Sequence, residues 1–559
     1  MRMIEERIRT AIDASLKKLG IDGVEAVLEH PSELSHGDFS TSIALAVAKK
    51  AGANPKELAE KIVAELGVIE GVSKIEIAGP GFINFHLSRE FFAQSVAEIV
   101  KAPETWGRNE HVKGYKVMVE YAQPNPFKPF HIGHLMSTAV GESISRFVEY
   151  SGATLFRANY QGDIGLHIAK CIWGLQKENL NASSVDDLGK AYVVGANAYE
   201  DDEEAKKEIN TLNKRLYAND PELKPIYDAG RKASLEHFDE LYKILGTKFD
   251  HLFFESEVAA RGVELAQEAV QKGIFEESDG AIVYKGEKAG LHTRVFITSQ
   301  GTPTYEAKEV ALAELKQKVF PFDLNITTVA VEQDGYFKVV EAALKEVFPS
   351  MKGAYTHVTF GMMQRADGKM SSRKGNIITG ESLIEDMRVK TMAKMEGRDL
   401  GDEKQTIADV VAVAAIKYSI LKQARGKNIV FDPEQSLSFE GDSGPYLQYS
   451  HVRARAVLRK AEEEKVSTDL QAPEEVSELE RLLYRFPGVV FRAAKENEPH
   501  HVTTFLTEIA SAFNSWYAQG KIVDAADATS GYKIALTQAF ATTMKNGLWL
   551  LGMQAPERM

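Results

Sequence analysis

A strand, a helix and a second strand that follow one another from residue 116 constrain the fold of this chain most. Residues 116–120 form an apolar strand pattern, residues 121–129 contain three prolines, and a helical pattern runs from Ile132 to Tyr150. The next strand pattern covers residues 154–160. Such a strand–helix–strand unit, about 45 residues long, requires its two strands to be parallel. The sequence therefore predicts an α/β fold with a parallel sheet.

The pattern of the parallel sheet is interrupted and then resumes. Between about residues 170 and 290 the chain is highly charged and helical in pattern, whereas strand patterns return at residues 294–298 and 325–331. From about residue 385 onward helical patterns dominate. Two of them lie at residues 446–464 and 532–551. We therefore expect a sheet domain that is split by a helical insertion and followed by an all-helical C-terminal region.

The first hundred residues predict a separate, small α/β unit. Pro55 opens a helical stripe that ends at Leu66, and two alternating strands flank the bend Gly79-Pro80-Gly81. The predicted domains are, in chain order, 1–107 (the N-terminal α/β domain), 108–170 (first half of the sheet domain), 171–290 (the insertion), 291–385 (second half of the sheet domain) and 386–559 (helical stem and C-terminal domain).

Composition excludes several classes of protein. With 559 residues, 44% of them hydrophobic, the chain has the composition of a globular protein of several domains. No apolar run approaches the roughly 20 residues that cross a bilayer, and the charged N-terminus does not resemble a signal peptide. We therefore expect no membrane span. The single cysteine, Cys171, excludes a disulfide within the chain, so we expect a cytoplasmic location. The net charge of −13 argues against a general polyanion binder, so contacts with RNA must come from local basic surface.

The helix that begins at Ile132 carries the string His131-Ile132-Gly133-His134. In a parallel sheet, ligands bind beyond the carboxyl ends of the strands, where a helix N-terminus offers free N–H groups to an anion. Two neutral imidazoles at such a turn can donate to phosphate oxygens, and Gly133 leaves room for a flat adenine on the backbone. The alternative is a polar helix start without a ligand.

A second string, GKMSSRKGN at residues 368–376, has glycines near both ends, three cations and two serines. Such a loop suits donation to phosphates, because attack of a carboxylate on an α-phosphate sends negative charge into the leaving pyrophosphate. Its spacing of glycine and lysine is not that of a P-loop, and the alternative is a solvated basic turn. Together the two strings predict an ATP site that makes an acyl-adenylate.

Both strings resemble the signatures of class I aminoacyl-tRNA synthetases, and the chain resembles the arginyl-tRNA synthetases along nearly its full length. Residues 119–135 resemble that family's first signature throughout, and further similar stretches lie at residues 82–85, 161–165, 446–453 and 555–559. The resemblance implies a Rossmann-like class I catalytic domain, an N-terminal domain that binds the D-loop of tRNA and a helical anticodon-binding domain. It also implies a monomer that activates L-arginine with ATP and Mg²⁺, holds no further metal, transfers arginine to tRNA(Arg) and requires bound tRNA for activation.

The resemblance implies a set of residues around the arginine substrate: Glu120, Asn125, His131, Tyr305, Glu309 and Gln333. A guanidinium is held best by carboxylates that accept paired N–H donors. Glu309 stands where the family more often has aspartate, so the geometry at this position is open. The alternatives are an exposed helix charge at Glu309 and a buried acid with an unknown partner at Glu120.

The resemblance also implies a set of residues around ATP: His131, Gly133, His134, Lys369, Met370, Ser371, Ser372, Arg373 and Lys374. Ser372 stands where the family-wide loop usually has lysine, and a lysine just before the first signature is thought to compensate. Lys128 occupies that position, with a plain loop charge as the alternative. The candidate catalytic residues are therefore His131, His134, Lys128 and Lys369.

Contacts with tRNA follow from the resemblance rather than from composition. The implied residues are Phe82, Asn84, Arg455, Arg459, Trp516 and Tyr517. The aromatic side chains can stack on bases, Asn84 can form a hydrogen bond to a base, and the arginines can meet phosphates. The alternative is that the first two residues fill a hairpin and that the C-terminal aromatic residues are core.

Two other functions stay open: a synthetase for another amino acid and a non-catalytic RNA-binding relative. A cysteinyl enzyme is disfavoured because the chain lacks ligands for a thiol-selective zinc site. A lysyl enzyme is disfavoured by the long first signature and by the C-terminal resemblance. The intact His131, His134 and Lys369 argue against a non-catalytic relative.

Overall fold

The structure is a computed structural model that describes residues 4–31, 33–365, 379–397 and 401–559. The chain consists of two compact units, each formed from several segments. The first unit comprises Met1–Gly107, Ser450–Val490 and Phe505–Asn546. The second unit comprises Arg108–Tyr449, Phe491–Thr504 and Gly547–Met559.

The described α-helices and β-strands are numbered in chain order. The helices are α1 (Ile4–Lys18), α2 (Ile43–Ala51), α3 (Pro55–Leu66), α4 (Arg89–Lys101), α5 (Ile132–Tyr150), α6 (Leu166–Glu178), α7 (Val185–Asp201), α8 (Glu203–Tyr217), α9 (Lys224–Ile244), α10 (Glu255–Gln271), α11 (Tyr305–Val319), α12 (Asp334–Val347), α13 (Gly380–Lys394), α14 (Lys404–Leu421), α15 (Pro433–Ser436), α16 (Gly444–Glu463), α17 (Glu478–Leu483), α18 (Phe486–Glu496), α19 (His500–Ala518) and α20 (Ser530–Leu550). The strands are β1 (Phe39–Thr41), β2 (Val72–Ala78), β3 (Phe82–Leu87), β4 (Lys116–Glu120), β5 (Thr154–Gln161), β6 (His251–Phe254), β7 (Glu276–Ser278), β8 (Ala281–Tyr284), β9 (Arg294–Ile297), β10 (Leu324–Ala330), β11 (Tyr355–Phe360), β12 (Met363–Arg365) and β13 (Ile429–Phe431).

A five-stranded parallel sheet lies within the second unit. Its strand order is β11–β10–β4–β5–β6, and every neighbouring pair is parallel. The chain passes from β4 through β5 to β6 on one side and from β10 to β11 on the other, so the strand order reverses between β4 and β10. The predicted α/β fold is confirmed, and β4 and α5 have the predicted bounds.

Two expectations about this sheet are wrong. The strand predicted at residues 294–298 is β9, which belongs to an antiparallel sheet with β7 and β8. The stretch predicted as a helical insertion contains β6, which pairs with β5 at the edge of the parallel sheet. Both strands have only four residues, and a run that short does not reveal the direction or identity of its partner.

The N-terminal part of the first unit contains an antiparallel sheet of order β1–β3–β2. Strands β2 and β3 form the predicted hairpin, in which Ala78 pairs with Phe82 across the bend. Helix α3 begins at Pro55 as predicted, and Asn54 caps it by accepting a hydrogen bond from the backbone N–H of Lys56. The helices and the sheet bury one apolar core, which contains Ile8 and Phe85.

The C-terminal region is helical, as expected. Helices α16 and α20 lie within two residues of the bounds that the sequence predicts. None of the helices in the described part of the chain combines the length and the apolar character that a membrane span requires.

Helices α6 to α9 pack closely within the second unit. A Cβ atom on Gly174 would lie 2.1 Å from the carbonyl oxygen of Ala191, and one on Gly195 would lie 1.9 Å from that of Lys170, so α6 and α7 require glycine at these crossings. Cys171 is buried in the apolar core of these helices.

A buried network of ion pairs joins α5 to β5. The carboxylate of Glu142, which is 2% exposed, accepts hydrogen bonds from Arg146 Nε at 2.7 Å and from Arg157 Nε at 3.0 Å. The hydroxyls of Tyr121 and Thr247 donate to the same carboxylate. Burial alone would raise the pKa of Glu142, but the two guanidinium groups outweigh it and lower that pKa to about 2.

We predict that Glu142→Ala lowers the free energy of unfolding by about 3–5 kcal/mol, because it leaves two partly buried guanidinium groups without a counter-charge. Urea unfolding followed by circular dichroism measures this change. Glu149, whose side chain is 47% exposed and 3.4 Å from Arg157, is the matched control, and its alanine variant should lose at most about 1 kcal/mol.

The stabilisation by Glu142 should also depend on pH. Folding lowers the pKa of this carboxyl, so its contribution is complete above the ordinary value of 4.5 and is lost as the pH falls toward 2. Equal losses of stability in the Glu142 and Glu149 variants would contradict the importance of this network.

Candidate active site

The carboxyl ends of β4 and β10 meet where the strand order reverses. Glu120 is the last residue of β4, and Gln333 lies between β10 and α12. Open parallel sheets bind ligands in the crevice at such a switch point. Two of the residues that the sequence singled out for the arginine substrate therefore follow the two strands that border this crevice.

The loop from β4 to α5 has an unusual backbone. Ala122, Gln123 and Phe127 have φ angles of 71°, 55° and 67°, in the left-handed region that non-glycine residues adopt at a cost of about 1–3 kcal/mol each. A side chain from a different element accepts a hydrogen bond from the backbone N–H of each of them. The acceptors are Ser137 Oγ for Ala122 (3.0 Å), Asn159 Oδ1 for Gln123 (3.1 Å) and Ser234 Oγ for Phe127 (3.0 Å).

His131 and His134 lie at the first turn of α5. Nδ1 of His131 accepts a hydrogen bond from the backbone N–H of Gly133 at 3.1 Å, and Nδ1 of His134 accepts one from the backbone N–H of His131 at 3.2 Å. The two rings stack with their centroids 3.5 Å apart. A Cβ on Gly133 would lie 2.9 Å from the ring of His131, so glycine leaves room for this arrangement.

Both imidazoles are neutral near pH 7. Desolvation, with the charge of Lys128 adding to it, lowers the pKa of His131 to about 4. Desolvation by burial, with His131 and Lys128 adding to it, lowers the pKa of His134 well below its ordinary value. A neutral imidazole whose Nδ1 accepts a hydrogen bond carries its proton on Nε2. The two side chains therefore offer uncharged Nε2–H donors.

The second string lies outside the described residues, and so do all of its predicted site residues: Lys369, Met370, Ser371, Ser372, Arg373 and Lys374. The described chain resumes beside the first string. Thr379 pairs with His131 in an isolated antiparallel bridge, and the backbone N–H of Gly380 donates to the carbonyl of Phe130 at 2.7 Å. The side chain of Thr379 caps α13 by accepting a hydrogen bond from Ser382 N.

Glu120 is 1% exposed, with one carboxylate oxygen in a hydrogen bond and the other in an ion pair. Oε1 accepts a hydrogen bond from Gln123 Nε2 at 2.7 Å, and Oε2 forms an ion pair with Lys316 of α11, which is 2% exposed. The partner that a buried acid requires is therefore a lysine that the sequence analysis did not single out.

Two further carboxylates near the crevice are paired with cations. Glu255 accepts from Lys308 Nζ at 2.6 Å, and Glu306 lies 3.5 Å from a guanidinium nitrogen of Arg294. Glu255 and Lys308 are both buried. In each pair the cation compensates the charge of the acid, so neither Glu255 nor Glu306 adds much net charge near the crevice.

Glu309 is different, because no cation among the described side chains lies within ion-pair distance of its carboxylate. The residue is half-buried rather than exposed. Desolvation and the neighbouring Glu120 raise its pKa well above the usual range. Among the described groups, the buried hydroxyls of Tyr160 and Tyr355 have no hydrogen-bond partner, and both lie within electrostatic reach of Glu309. An unpaired acid beside unsatisfied hydroxyls suits a polar cation.

Lys128 and Tyr305 line a common open cavity of about 450 Å³, together with His167, Lys170 and Tyr192 among others. Nζ of Lys128 lies 5.4 Å from the ring centroid of Tyr192, and burial and the charge of Lys170 lower the pKa of Lys128. Tyr305, at the start of α11, is 63% exposed.

Asn125 contacts the loop after β5. Its Oδ1 accepts a hydrogen bond from the backbone N–H of Gly162 at 3.0 Å, and a Cβ on Gly162 would lie 2.7 Å from the same oxygen. The next residue, Asp163, accepts hydrogen bonds from α9 and α10. Its donors are Tyr227 OH, Arg231 Nε, Ser256 N and Ser256 Oγ.

The residues predicted to contact tRNA in the N-terminal hairpin differ in accessibility. Phe82 is 40% exposed at the bend, whereas Asn84 is 4% exposed and its Oδ1 accepts a hydrogen bond from Ser40 Oγ at 2.7 Å. Phe82 is thus presented to solvent, while Asn84 takes part in the internal bonding of the sheet.

The C-terminal residues predicted to contact tRNA lie on two helices. Arg455 and Arg459 are half-buried on α16, and Trp516 is half-buried on α19. Tyr517 is exposed, and the guanidinium of Arg453 lies 5.2 Å from its ring centroid. An exposed aromatic ring beside an arginine suits a nucleobase.

Four residues that shape the crevice were missed in the sequence: Gln123, Glu255, Lys308 and Lys316. One signal could have found Lys316, which follows Glu309 by seven residues and so shares its helix face. The described residues contain no group of three or more His, Cys, Asp or Glu side chains arranged to hold a metal ion.

Three family models match successive parts of the chain. "tRNA synthetases class I (R), catalytic domain" matches residues 96–433. "Arginyl tRNA synthetase N terminal domain" matches residues 6–87, and "DALR anticodon binding domain" matches residues 447–559. The sheet with its histidine pair is thus the catalytic domain of a class I synthetase.

Relatives of this chain match it from end to end. The arginine–tRNA ligase of Clostridium perfringens is 30% identical over 574 residues, which cover 100% of this chain and 99% of that protein. The arginine–tRNA ligase of Streptococcus mutans is 32% identical over 569 residues, with coverage of 100% and 99%. In fold, the chain matches the arginyl-tRNA synthetase of Thermus thermophilus with a TM-score of 0.84 at 24% identity and full coverage of both chains. This chain belongs to the arginyl-tRNA synthetase family.

We predict that in the His134→Gln variant the free energy of unfolding depends less on pH below about pH 6.5 than in the wild-type protein. Folding lowers the pKa of His134, so the unfolded chain binds more protons below about pH 6.5 and the wild-type protein loses stability as the pH falls. Glutamine at the third helical position keeps a capping side chain but does not titrate. Urea unfolding at pH 6.5 and pH 5 measures both slopes, and equal slopes in the two proteins would contradict the assignment.

Proposed function

We propose that the crevice at the strand reversal catalyses the ATP-dependent reaction of an arginine–tRNA ligase. An α-carboxylate oxygen of L-arginine attacks the α-phosphorus of ATP, pyrophosphate leaves, and arginyl-adenylate forms. A terminal ribose hydroxyl of tRNA(Arg) then attacks the carbonyl carbon, and AMP leaves. The observation that carries this proposal is the pairing of two neutral Nε2–H donors with one carboxylate that lacks a counter-charge.

The proposed ATP site uses the first turn of α5. His131 and His134 donate their Nε2–H groups to phosphate oxygens, where charge grows in the transition state, and Gly133 faces the adenine. Uncharged donors of this kind need no protonation change at neutral pH. The bridge between His131 and Thr379 supports a role for the preceding second string at the same phosphates.

The remaining cations of the ATP site are assigned to the leaving pyrophosphate. We assign Lys128 and Lys369 to this charge, and residues 370–374 to further phosphate contacts. Mg²⁺ would enter with the phosphates of ATP and would neutralise part of their charge.

The proposed arginine site lies around Glu309. Its carboxylate accepts paired N–H donors from the guanidinium, and Tyr305, Gln333 and Glu120 would complete the site. The extra methylene relative to aspartate would bring the carboxylate closer to the substrate. Asn125 and His131 would contact the α-amino and α-carboxylate groups.

The proposed tRNA contacts are distributed over both ends of the chain. Phe82 would stack on a D-loop base with Asn84 as a supporting residue, and Trp516 and Tyr517 would stack on anticodon bases. Arg455 and Arg459 would meet phosphates. As the resemblance implies, we expect a cytoplasmic monomer.

The decisive test is charging of mixed tRNA with each amino acid in turn. Arginine alone should be attached, and attachment of a different amino acid, or of none, would overturn the proposal. ATP–pyrophosphate exchange with and without tRNA would then show whether activation depends on tRNA.

We predict that His134→Ala lowers kcat for charging at least 100-fold, because one oriented donor to the reacting phosphate contributes about 3–4 kcal/mol. Binding of tRNA, measured by filter retention, should stay within about threefold. His292→Ala, at an exposed histidine of the same unit, is the control and should charge normally. Normal turnover of the His134 variant would remove this residue from the mechanism.

We predict that Glu309→Gln raises the KM for arginine about 10- to 100-fold, because a charged hydrogen bond contributes about 1.5–3 kcal/mol. Since the pKa of Glu309 is raised, arginine binding must release a proton, and the wild-type KM for arginine should fall as the pH rises from 6 to 8. The variant should lose this dependence. Glu240→Gln, at an exposed acid of α9, is the control, and a similar KM in all three proteins would contradict the role.

A further inference from the structure

Three other glutamates act electrostatically on Glu309, and each of the three has a cation within ion-pair distance. The pairs are Glu120 with Lys316, Glu255 with Lys308 at 2.6 Å and Glu306 with Arg294 at 3.5 Å. Glu309 is the fourth, and the described side chains provide no cation for it. Because its pKa is raised, Glu309 becomes charged when a cationic ligand displaces its proton.

The Glu120–Lys316 pair is the most deeply buried of the three. The side chain of Lys316 is 3% exposed and that of Glu120 is 1% exposed, whereas that of Arg294 is 41% exposed. A buried pair is costly to form and is weak evidence for a gain in stability, so a functional reason for it should be sought. Lys316 shares a helix face with Glu309, which precedes it by seven residues, and the charge of Lys316 acts to lower the pKa of Glu309.

The pair also fixes the orientation of Glu120. Lys316 binds Oε2 while Gln123 binds Oε1 at 2.7 Å, so the carboxylate cannot rotate toward Glu309 without breaking a bond. Gln123 is itself held in the left-handed region by Asn159. The position of Glu120 is thus determined before a substrate arrives.

We propose that Lys316 is a positioning and specificity-determining residue: by pairing with Glu120 and orienting it, Lys316 leaves Glu309 as the carboxyl group that pairs with the positive charge of the substrate side chain. This inference rests on the proposed function, because it assumes that Glu309 receives the guanidinium. The ligand class that it excludes is the neutral isostere of arginine, in which a urea replaces the guanidinium.

The physical reasoning predicts what removal of the lysine does. Without Lys316, Glu120 is a buried carboxylate with no cation beside a second carboxylate, and such a group takes up a proton. A protonated carboxyl can donate to the urea oxygen of citrulline, an interaction that the guanidinium of arginine cannot form. The preference for arginine over citrulline should therefore fall.

The test compares Lys316→Met, Lys316→Arg and wild-type protein in charging assays with tRNA. We measure KM for arginine, KM for ATP, kcat and the inhibition constant of citrulline. Lys316→Met should raise the KM for arginine at least tenfold and lower the ratio of citrulline inhibition constant to arginine KM at least tenfold. Its kcat and its KM for ATP should stay within threefold, and Lys316→Arg should restore the ratio.

Lys318→Met is the matched control on the same helix. Lys318 is 67% exposed and pairs with Glu314 at 3.0 Å, so this variant should leave every constant within twofold. A folded Lys316→Met protein whose ratio stays within twofold of the wild type would overturn the inference. A parallel rise in the KM for arginine and for ATP would also overturn it, because a merely structural role has that effect.

A second variant keeps the inference testable if Lys316→Met does not fold. Glu120→Gln combined with Lys316→Met removes both charges, and buried pairs often tolerate such joint replacement. The introduced glutamine can also donate an amide N–H to the urea oxygen, so the ratio should again fall at least tenfold. A ratio within twofold of the wild type would overturn the inference. If the wild-type protein does not charge arginine, the proposed function itself is wrong. If the wild-type protein charges arginine but the Lys316 variants keep the wild-type ratio, only the role proposed for Lys316 is wrong.

Discussion

The crevice depends on a short loop whose backbone is forced into the left-handed region at three non-glycine residues. Each of Ala122, Gln123 and Phe127 donates its N–H to a side chain that a different element supplies, so α5, β5 and α9 jointly fix the loop. This constraint places the end of β4 and the start of α5 at the same crevice. The strain is tolerable because three independent elements already have to pack there.

The electrostatics of the crevice follow from the buried charged groups around it. Desolvation and the charge of Lys128 keep the histidine rings of α5 neutral, and their bonding to backbone N–H groups leaves the proton on Nε2. Burial also demands a cation for each acid, which Lys316 and Lys308 provide. In the proposed reaction, neutral donors on one side and an acid without a paired cation on the other would separate the binding of an anionic nucleotide from that of a cationic amino acid.

Local patterns in the sequence predicted the parallel sheet and the helix start at the two histidines. This was possible because periodicity and a cap within a few residues define the strand β4 and the helix α5. The sequence could not predict that β9 is antiparallel to its neighbour or that β6 belongs to the parallel sheet, since each depends on the partner strand with which it pairs. The same holds for the Glu120–Lys316 pair, which joins a strand end to a distant helix. The predicted domain boundaries and site roles stay predictions, and residues 369–374 lie outside what the structure describes.

The buried sulfur of Cys171 gives this chain an internal reporter. It is the sole thiol in the sequence, it lies where α6 crosses α7, and burial raises its pKa to about 12. A thiolate is the species that reacts with alkylating reagents, so the closed helix pair should be inert to them. The rate of alkylation would therefore report how often these two helices separate locally, without any label added by mutation.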